Sequence, residues 1–419
     1  MRGLGVCHKV RACRITLNRL APRMPTCSPM SPGESNRPLR TARKQMARAP
    51  DPLKDRLRRL LAELMLIPGL SGYEGRVRKY LATQLSALGI ATRTDRLGNL
   101  IATVAGDAAA PSVMLFAHMD QLGLVVRKIE ASGLIRVERL GGVPEKALPS
   151  QAVLLCVGEG RDVAGVIANK SHHATAPEEK YKVLPYAELY IDAGFGSSSE
   201  ALAAGVDIGT PVVYQPRVME LAGDRIAGTS VDDRAACAVI IEVARALGGI
   251  ERKPTVHLVF SVQEEFNLRG ALTAAQALSP DIAIQLDLML ATDTPDLATR
   301  GDVGLGGGPA MSLYSFHGRG TLNGTIPHPA LVRLFADVAN REGQSLQRSA
   351  HVGVLTDSSY VQLVGSGVAA IDLGFPCRYT HSSLEVCDLG DLAGLTRLIL
   401  AALPRIDGKL SLDRDDFAQ

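Results

Sequence analysis

The run 257-HLVFSVQEEFNLRGA-271 constrains the fold more than any other part of the chain. An apolar stretch, Leu258 to Val262, stops at two adjacent glutamates, Glu264 and Glu265, and a glycine-marked turn follows. Carboxylates at the end of a buried strand are costly unless they are paired or bound to metal. The pattern recurs. The run 112-SVMLFAHMDQLG-123 delivers His118 and Asp120, AIQLDLML carries Asp287, Asp232-Asp233 opens a helix-like stretch, and His381 sits in RYTHSSLEV. Open α/β sheets gather strand ends at one edge, where sites form. These residues are therefore read as one constellation.

The rest of the pattern gives that constellation a frame. Leu53, Leu57, Leu60, Leu61 and Leu64 recur at helical spacing. Pro68-Gly69 breaks that helix, and a second amphipathic helix is expected from about Tyr73 to Leu88. Gly98-Asn99 marks a turn into a strand. Further strands are expected at 255–262, 282–287 and 368–373. Helices are expected at 268–278, 328–342 and 389–403, with a stripe of Ala236, Val239, Ile240, Val243 and Leu247 before them. Between 124 and 222 the texture changes to short β-like pieces separated by Gly and Pro. The reading is an α/β fold with its catalytic domain in two stretches, 52–123 and 223–410, around an inserted β-rich domain at 124–222.

Charge separates the ends of the chain. Residues 1–50 hold 11 Lys/Arg and one acid, Glu34, whereas the rest holds 35 bases and 42 acids. Segment 1–51 reads as a basic disordered tail or as the product of a start placed upstream of Met24, Met30 or Met46. A transit peptide also fits its Arg-rich, acid-poor composition. The body is mildly acidic, and nothing in it reads as a nucleic-acid surface. No stretch approaches the roughly 18 apolar residues needed to span a bilayer. None of the seven Cys forms a C-x-x-C pair. Cys156, Cys237, Cys377 and Cys387 lie in apolar context and read as buried, reduced thiols of a cytoplasmic protein.

The donor types suit a pair of divalent metal ions. Zn²⁺ favours imidazole nitrogen and carboxylate oxygen, although Co²⁺ and Mn²⁺ suit such donors similarly. Two ions need a bridging carboxylate. Their charge is balanced by Asp232, Glu265, Asp287 and one hydroxide. Of two adjacent glutamates, one can bind metal while the other points elsewhere and serves as general base toward a water. The chemistry expected is hydrolysis of an amide.

These same stretches carry a likeness. AHMDQLG, YIDAGF, VDDRAACAV, VQEEFNLRGA, DTP at 293–295, TDSSYVQ at 356–362 and RYTHSSLEV resemble the dinuclear-zinc aminopeptidases of the tetrahedral type, metallopeptidase family forty-two, which includes glutamyl aminopeptidases. The likeness runs from about residue 57 to 405. It implies a mixed-sheet zinc-peptidase domain flanked by helices, with a PDZ-like insert that mediates homo-oligomerisation, often into a hollow dodecamer. It implies that His118 and Asp287 bind one metal, Glu265 and His381 the other, and that Asp232 bridges them. Glu264 would be the general base, and Asp120 a carboxylate that orients the site. Short peptides would be the substrates. The 114-residue gap between His118 and Asp232 fits this family, since related hydrolases with the same ligand order have that gap short. Two departures stand out. Gln121 replaces a frequent acid, and Gly228-Thr229-Ser230-Val231 stands where many members have GKAL. Both bear on substrate preference rather than on the ligands.

Plainer readings compete at single positions. His118 and His381 could be core histidines, Asp287 a turn former, and Asp233 a partner of Arg234 or a helix N-terminal acid. His172 and His173 fit equally a solvated loop or a loop lining a cleft, their own or a neighbouring subunit's. His257, His317, His328 and His351 have no ligand-like partner. The glycines 304–308 lack a following Lys-Ser/Thr and form no phosphate loop; the likeness puts them in a turn near the site. A glycoside hydrolase, which some relatives have been labelled, would need two carboxylates about 5–9.5 Å apart and no histidines, and the chain has no Trp for sugar stacking. A non-catalytic assembly protein would have no reason to keep every ligand.

Overall fold

In the computed structural model, which describes residues 51–249, 254–317 and 324–417, four parallel strands form the centre of a nine-stranded mixed sheet. They are Val256–Ser261, Val113–His118, Ile282–Leu290 and Ala369–Cys377, in that spatial order. Thr92–Thr94 and Leu100–Val104 extend one side antiparallel. On the other side Ala310–Phe316 pairs with Ala369–Cys377, with Gly324–Thr325 and Gln347–Val352 beside it. The expectations for residues 1–50 lie outside the described residues. Asp51 caps the first helix, Pro52–Met65, by accepting from Leu53 N.

The unbroken apolar runs follow from burial on both sheet faces. Along Val113–His118 every residue is buried. Val113, Leu115 and Ala117 pack in the larger core with Leu57, Leu61, Val239 and Leu395, from helices Pro52–Met65, Val231–Leu247 and Leu389–Ala402. Met114 and Phe116 face the other way, against Ala271, Ala274 and Val361. Truncating the fully buried Phe116 to Ala would cost about 3–5 kcal/mol.

Register then aligns the strand ends. Ser261 lies opposite His118, and Asp287 opposite Gly374. A Cβ on Gly374 would fall 1.8 Å from the Asp287 carbonyl oxygen, so only glycine fits there. The strand carrying Asp287 continues to Leu290, beyond the expected end at 287.

The small β-rich domain is a closed barrel of six antiparallel strands between Gly123 and Tyr214. Its core is its own, with Leu124, Val126, Ile135, Val153, Ile191 and Val212 at the centre. Val218–Glu220 lies outside the barrel, in a three-stranded sheet with Arg225–Gly228 and Glu385–Asp388. Among the described residues no helix is long and apolar enough to cross a membrane. Cys237, Cys377 and Cys387 are buried and free; Cys156 is free but only half-buried.

Candidate metal centre

The strand ends place the expected donors around one cavity. His118 closes its strand, and its Nε2 lies 3.0 Å from Asp232 Oδ1. Asp232 stands at the start of Val231–Leu247 with non-helical backbone angles, next to a cis peptide bond to Asp233. Its other oxygen, Oδ2, is 3.5 Å from His381 Nε2. His381 Nε2 is in turn 3.7 Å from Glu265 Oε2. Two groups result, His118–Asp232–Asp287 and Asp232–Glu265–His381, with the donor atoms of each within 4.8 Å of one another. Asp232 belongs to both. Glu264 stands outside both groups, its Oε2 4.0 Å from His118 Nε2. Neighbouring glutamates thus diverge, one toward each histidine.

Asp120 holds this arrangement from behind. Its Oδ1 accepts from Glu264 N at 3.0 Å and its Oδ2 from Glu265 N at 3.1 Å, and Oδ1 lies 3.4 Å from His118 Nδ1. One buried carboxylate therefore sets both the ring of His118 and the loop that carries the glutamate pair. Asp287 accepts from Gln285 Nε2 at 3.1 Å and Leu288 N at 2.6 Å. His381 adopts a positive φ of 65°. Its Nδ1 lies 3.1 Å from the carbonyl oxygen of Gly142, where a Cβ would sit 2.7 Å from that nitrogen.

The electrostatics describe a place short of positive charge. Burial pushes the Glu265 carboxyl up to about 7 and drives Glu264 and Asp287 well above the usual carboxylate range. Burial opposes ionisation of Asp232 too, but His118 and His381 hold it below that range. Against burial, Glu264, Asp120 and Asp232 raise His118 far above its ordinary value, and Glu265 and Asp232 raise His381 to about 10. Glu265 Oε1 is buried without a hydrogen-bond partner. Two imidazoles and three carboxylates converging here, with an orphaned buried oxygen, fit divalent cations of the zinc type.

Several contributors escape sequence reasoning. Glu385 accepts from His381 N at 2.7 Å and from Asp232 N at 3.0 Å, so it ties the His381 motif to an aspartate 153 residues from itself. Ser71 Oγ donates to Asp120 Oδ2 at 2.6 Å. Glu74 accepts from Gly72 N and Gln263 N, bracing the approach to Glu264. Thr380 Oγ1 donates to Asp232 Oδ2 at 3.2 Å. His317, which has no ligand-like partner in sequence, lines the cavity. The clue in sequence was proximity alone: Ser71 and Glu74 follow a breaker, and Glu385 closes a motif already singled out.

Other expectations change. Arg234 does not pair with Asp233; its Nη1 donates to the carbonyls of Leu64 and Ile67 at 3.2 and 3.3 Å. Gln121 is buried and accepts from Gly69 N at 2.9 Å, and Thr229 is buried with its hydroxyl on Met65 O. Neither lines the cavity, so these two departures act on the scaffold rather than on a substrate pocket. The glycine turn 304–308 is fastened to Asp391 through Gly306 N and Gly308 N and does not line the cavity either. His172 and His173 are exposed and do not line it.

A donor set of this kind, at the carboxyl edge of a parallel sheet, defines a metallohydrolase. The chain belongs to the M42 glutamyl aminopeptidase family, whose sequence model matches residues 98–398. It is 36% identical over 343 residues to the putative aminopeptidase SgcX of Escherichia coli, covering 81% of this chain and 91% of that protein. Its fold matches the aminopeptidase APDkam598 of the archaeon Desulfurococcus kamchatkensis with a TM-score of 0.80 at 32% identity, over 85% of this chain and 97% of that one. It also matches the Pyrococcus horikoshii TET1 peptidase, which can assemble into a tetrahedron or a large octahedral shell, with a TM-score of 0.74 at 29% identity, over 83% and 99% of the two chains. The chain is thus a metal-dependent aminopeptidase, a hydrolase of peptide bonds.

Proposed function

We propose that the chain removes N-terminal residues from short peptides with two divalent ions, zinc in the first instance. His118 and Asp287 hold one ion, Glu265 and His381 the other, and Asp232 bridges them. The observation that carries this reading is the presence of Asp232 in both donor groups, one oxygen toward each histidine. Bound there, the ions supply Lewis acidity, polarising a carbonyl and lowering the pKa of water. Glu264, beside His118 but in neither group, takes a proton from the attacking water and returns it to the departing amine. Asp120 keeps His118 and the glutamate loop in place through the bonds described above. Opposed glycosidase carboxylates are not supported, because each carboxylate of the cluster except Glu264 sits within a histidine-containing group.

We further read residues 124–222, apart from the strand Val218–Glu220 that joins the sheet of Glu385–Asp388, as an inserted assembly domain and the protein as a homo-oligomer. The barrel's separate core supports the first part. Tyr181, Val183 and Ile208, exposed at 95%, 58% and 70%, support the second, as surface that a neighbouring subunit would cover. The assembly of the P. horikoshii relative agrees. Free thiols at Cys156, Cys237, Cys377 and Cys387 favour the cytoplasm.

The test is hydrolysis of aminoacyl-p-nitroanilides with and without chelator. Release that chelator abolishes and added Zn²⁺ or Co²⁺ restores is expected. Absence of release from every substrate by metal-loaded protein would overturn the proposal.

A further inference from the structure

The cavity that holds the metal centre also limits what can enter it. Its volume is about 480 Å³, within the range of small-molecule sites. Beyond the metal-type donors, its apolar wall is built by Pro144, Leu268, Leu288, Leu290, Val354 and Leu355. These come from four separate segments of the chain. The remaining polar side chains are Asn267, Thr380 and His317. Thr380 is already engaged with Asp232.

Charge is distributed unevenly over this lining. Every carboxylate in it, namely Asp232, Glu264, Glu265 and Asp287, belongs to the proposed metal and base set. Among the described residues no Lys or Arg lines it. Among the described residues, an acidic side chain would meet carboxylates as the dominant charges and no guanidinium or ammonium to answer it. A basic side chain would find only carboxylates already engaged, Asp232, Glu265 and Asp287 with the proposed ions and Glu264 as the proposed base. Either would lose hydration without gaining a partner. A branched or linear aliphatic side chain meets six apolar residues and leaves nothing unpaired.

We propose that this enzyme's substrates carry a neutral, apolar N-terminal side chain of leucine or methionine size, rather than the acidic one that the family's description names. The specificity-determining residues are Leu288 and Leu290 on the strand that carries Asp287, with Val354 and Leu355 in the loop after Gln347–Val352. This rests on the aminopeptidase reading above. Leu290 is half-buried near the end of its strand, so a polar change there leaves the centre of the sheet alone.

The experiment compares kcat/KM of the metal-loaded, full-length protein for leucyl-, methionyl-, glutamyl- and lysyl-p-nitroanilides. Leucyl or methionyl substrates should exceed both charged ones by about tenfold or more, the scale on which apolar pockets discriminate. Faster release from the glutamyl or lysyl substrate overturns the pocket assignment while leaving the peptidase standing. No release from any of the four overturns the peptidase reading, and the pocket with it. A second readout needs no turnover: calorimetric binding of leucyl-, glutamyl- and lysyl-dipeptides to the metal-loaded Glu264→Gln protein should rank them in the same order, and equal affinities would contradict the proposal. Leu290→Asp, with metal content verified, should move the preference toward lysyl. Leu355→Asp is the alternative if the first variant does not fold. An unchanged leucyl preference in a folded variant overturns the assignment of that wall.

Discussion

The two donor groups of the candidate metal centre share Asp232 but are built differently. His118, Asp232 and Asp287 are all buried, and the two outer members sit on adjacent parallel strands of the sheet centre. Glu265 and His381 lie on loops after strands, and the His381 side chain is 38% exposed. Strand-borne donors are held more closely than loop-borne ones, and loops open at lower free energy than core strands. The contrast teaches where exchange should occur. The His118 half should retain its ion, and the His381 half should release its ion first.

The largest effect should come from removing what the halves share. Asp232→Ala should lose both ions, read by elemental analysis of the dialysed protein, and all measurable turnover with them. A variant that keeps two ions would deny the bridge. Next is the proposed base: Glu264→Gln should lower kcat by about 10²–10⁴-fold with metal content unchanged, which separates it from every variant of a proposed ligand. Between the halves the contrast is direct. His381→Ala should keep one ion per chain, whereas His118→Ala should also weaken the half that survives, because His118 contacts both Asp232 and Asp120. Equal metal content in the two variants would erase the distinction.

Smaller changes sharpen the same comparison. Ser71→Ala removes one of the hydrogen bonds that hold Asp120, which steadies His118 and the Glu264–Glu265 loop together. Metal affinity or activity should fall by roughly 10–100-fold, the scale seen for such supporting bonds, in chelator titrations and kcat measurements. The smallest effect concerns the ion pair that fastens helix Gly75–Ala87 to the barrel, Arg76 Nη2 to Asp162 Oδ1 at 2.8 Å. Burial would raise the Asp162 carboxyl, but Arg76 and Gly158 N hold it below the usual carboxylate range. A carboxyl depressed in the folded state stabilises above its unfolded pKa and loses that contribution as pH falls through the folded value. Asp162→Asn should therefore cost at most about 1 kcal/mol at neutral pH, with the difference from wild type closing in strong acid, as followed by thermal unfolding across pH.

Much of this architecture was legible because burial on both sheet faces writes itself as unbroken apolar runs. Val113–His118 and Val256–Ser261 appear as such, and the donors at their ends stand out as exceptions to those runs. The helix at Pro329–Arg341 matches its expectation at 328–342 because its apolar stripe is one-sided. What stayed hidden depends on contacts across long separations. Glu385 looks like an ordinary acid until it accepts from two backbone amides of different motifs. Gly142 is one glycine among many until the barrel segment brings its carbonyl to His381. Gln121 reads as a lost acid near the site, yet its amide oxygen is spent on Gly69. His317 carries no neighbouring ligand in sequence, and only the sheet edge brings it to the cavity.

The most direct test of the centre counts metal ions per chain during a graded chelator titration of the wild-type protein and of His381→Ala. Two ions leaving the wild type in separate steps, with one ion left in the variant, is the predicted result. A wild-type protein fully active with a single ion, or two ions leaving together in one step, would contradict the two-part centre built around Asp232.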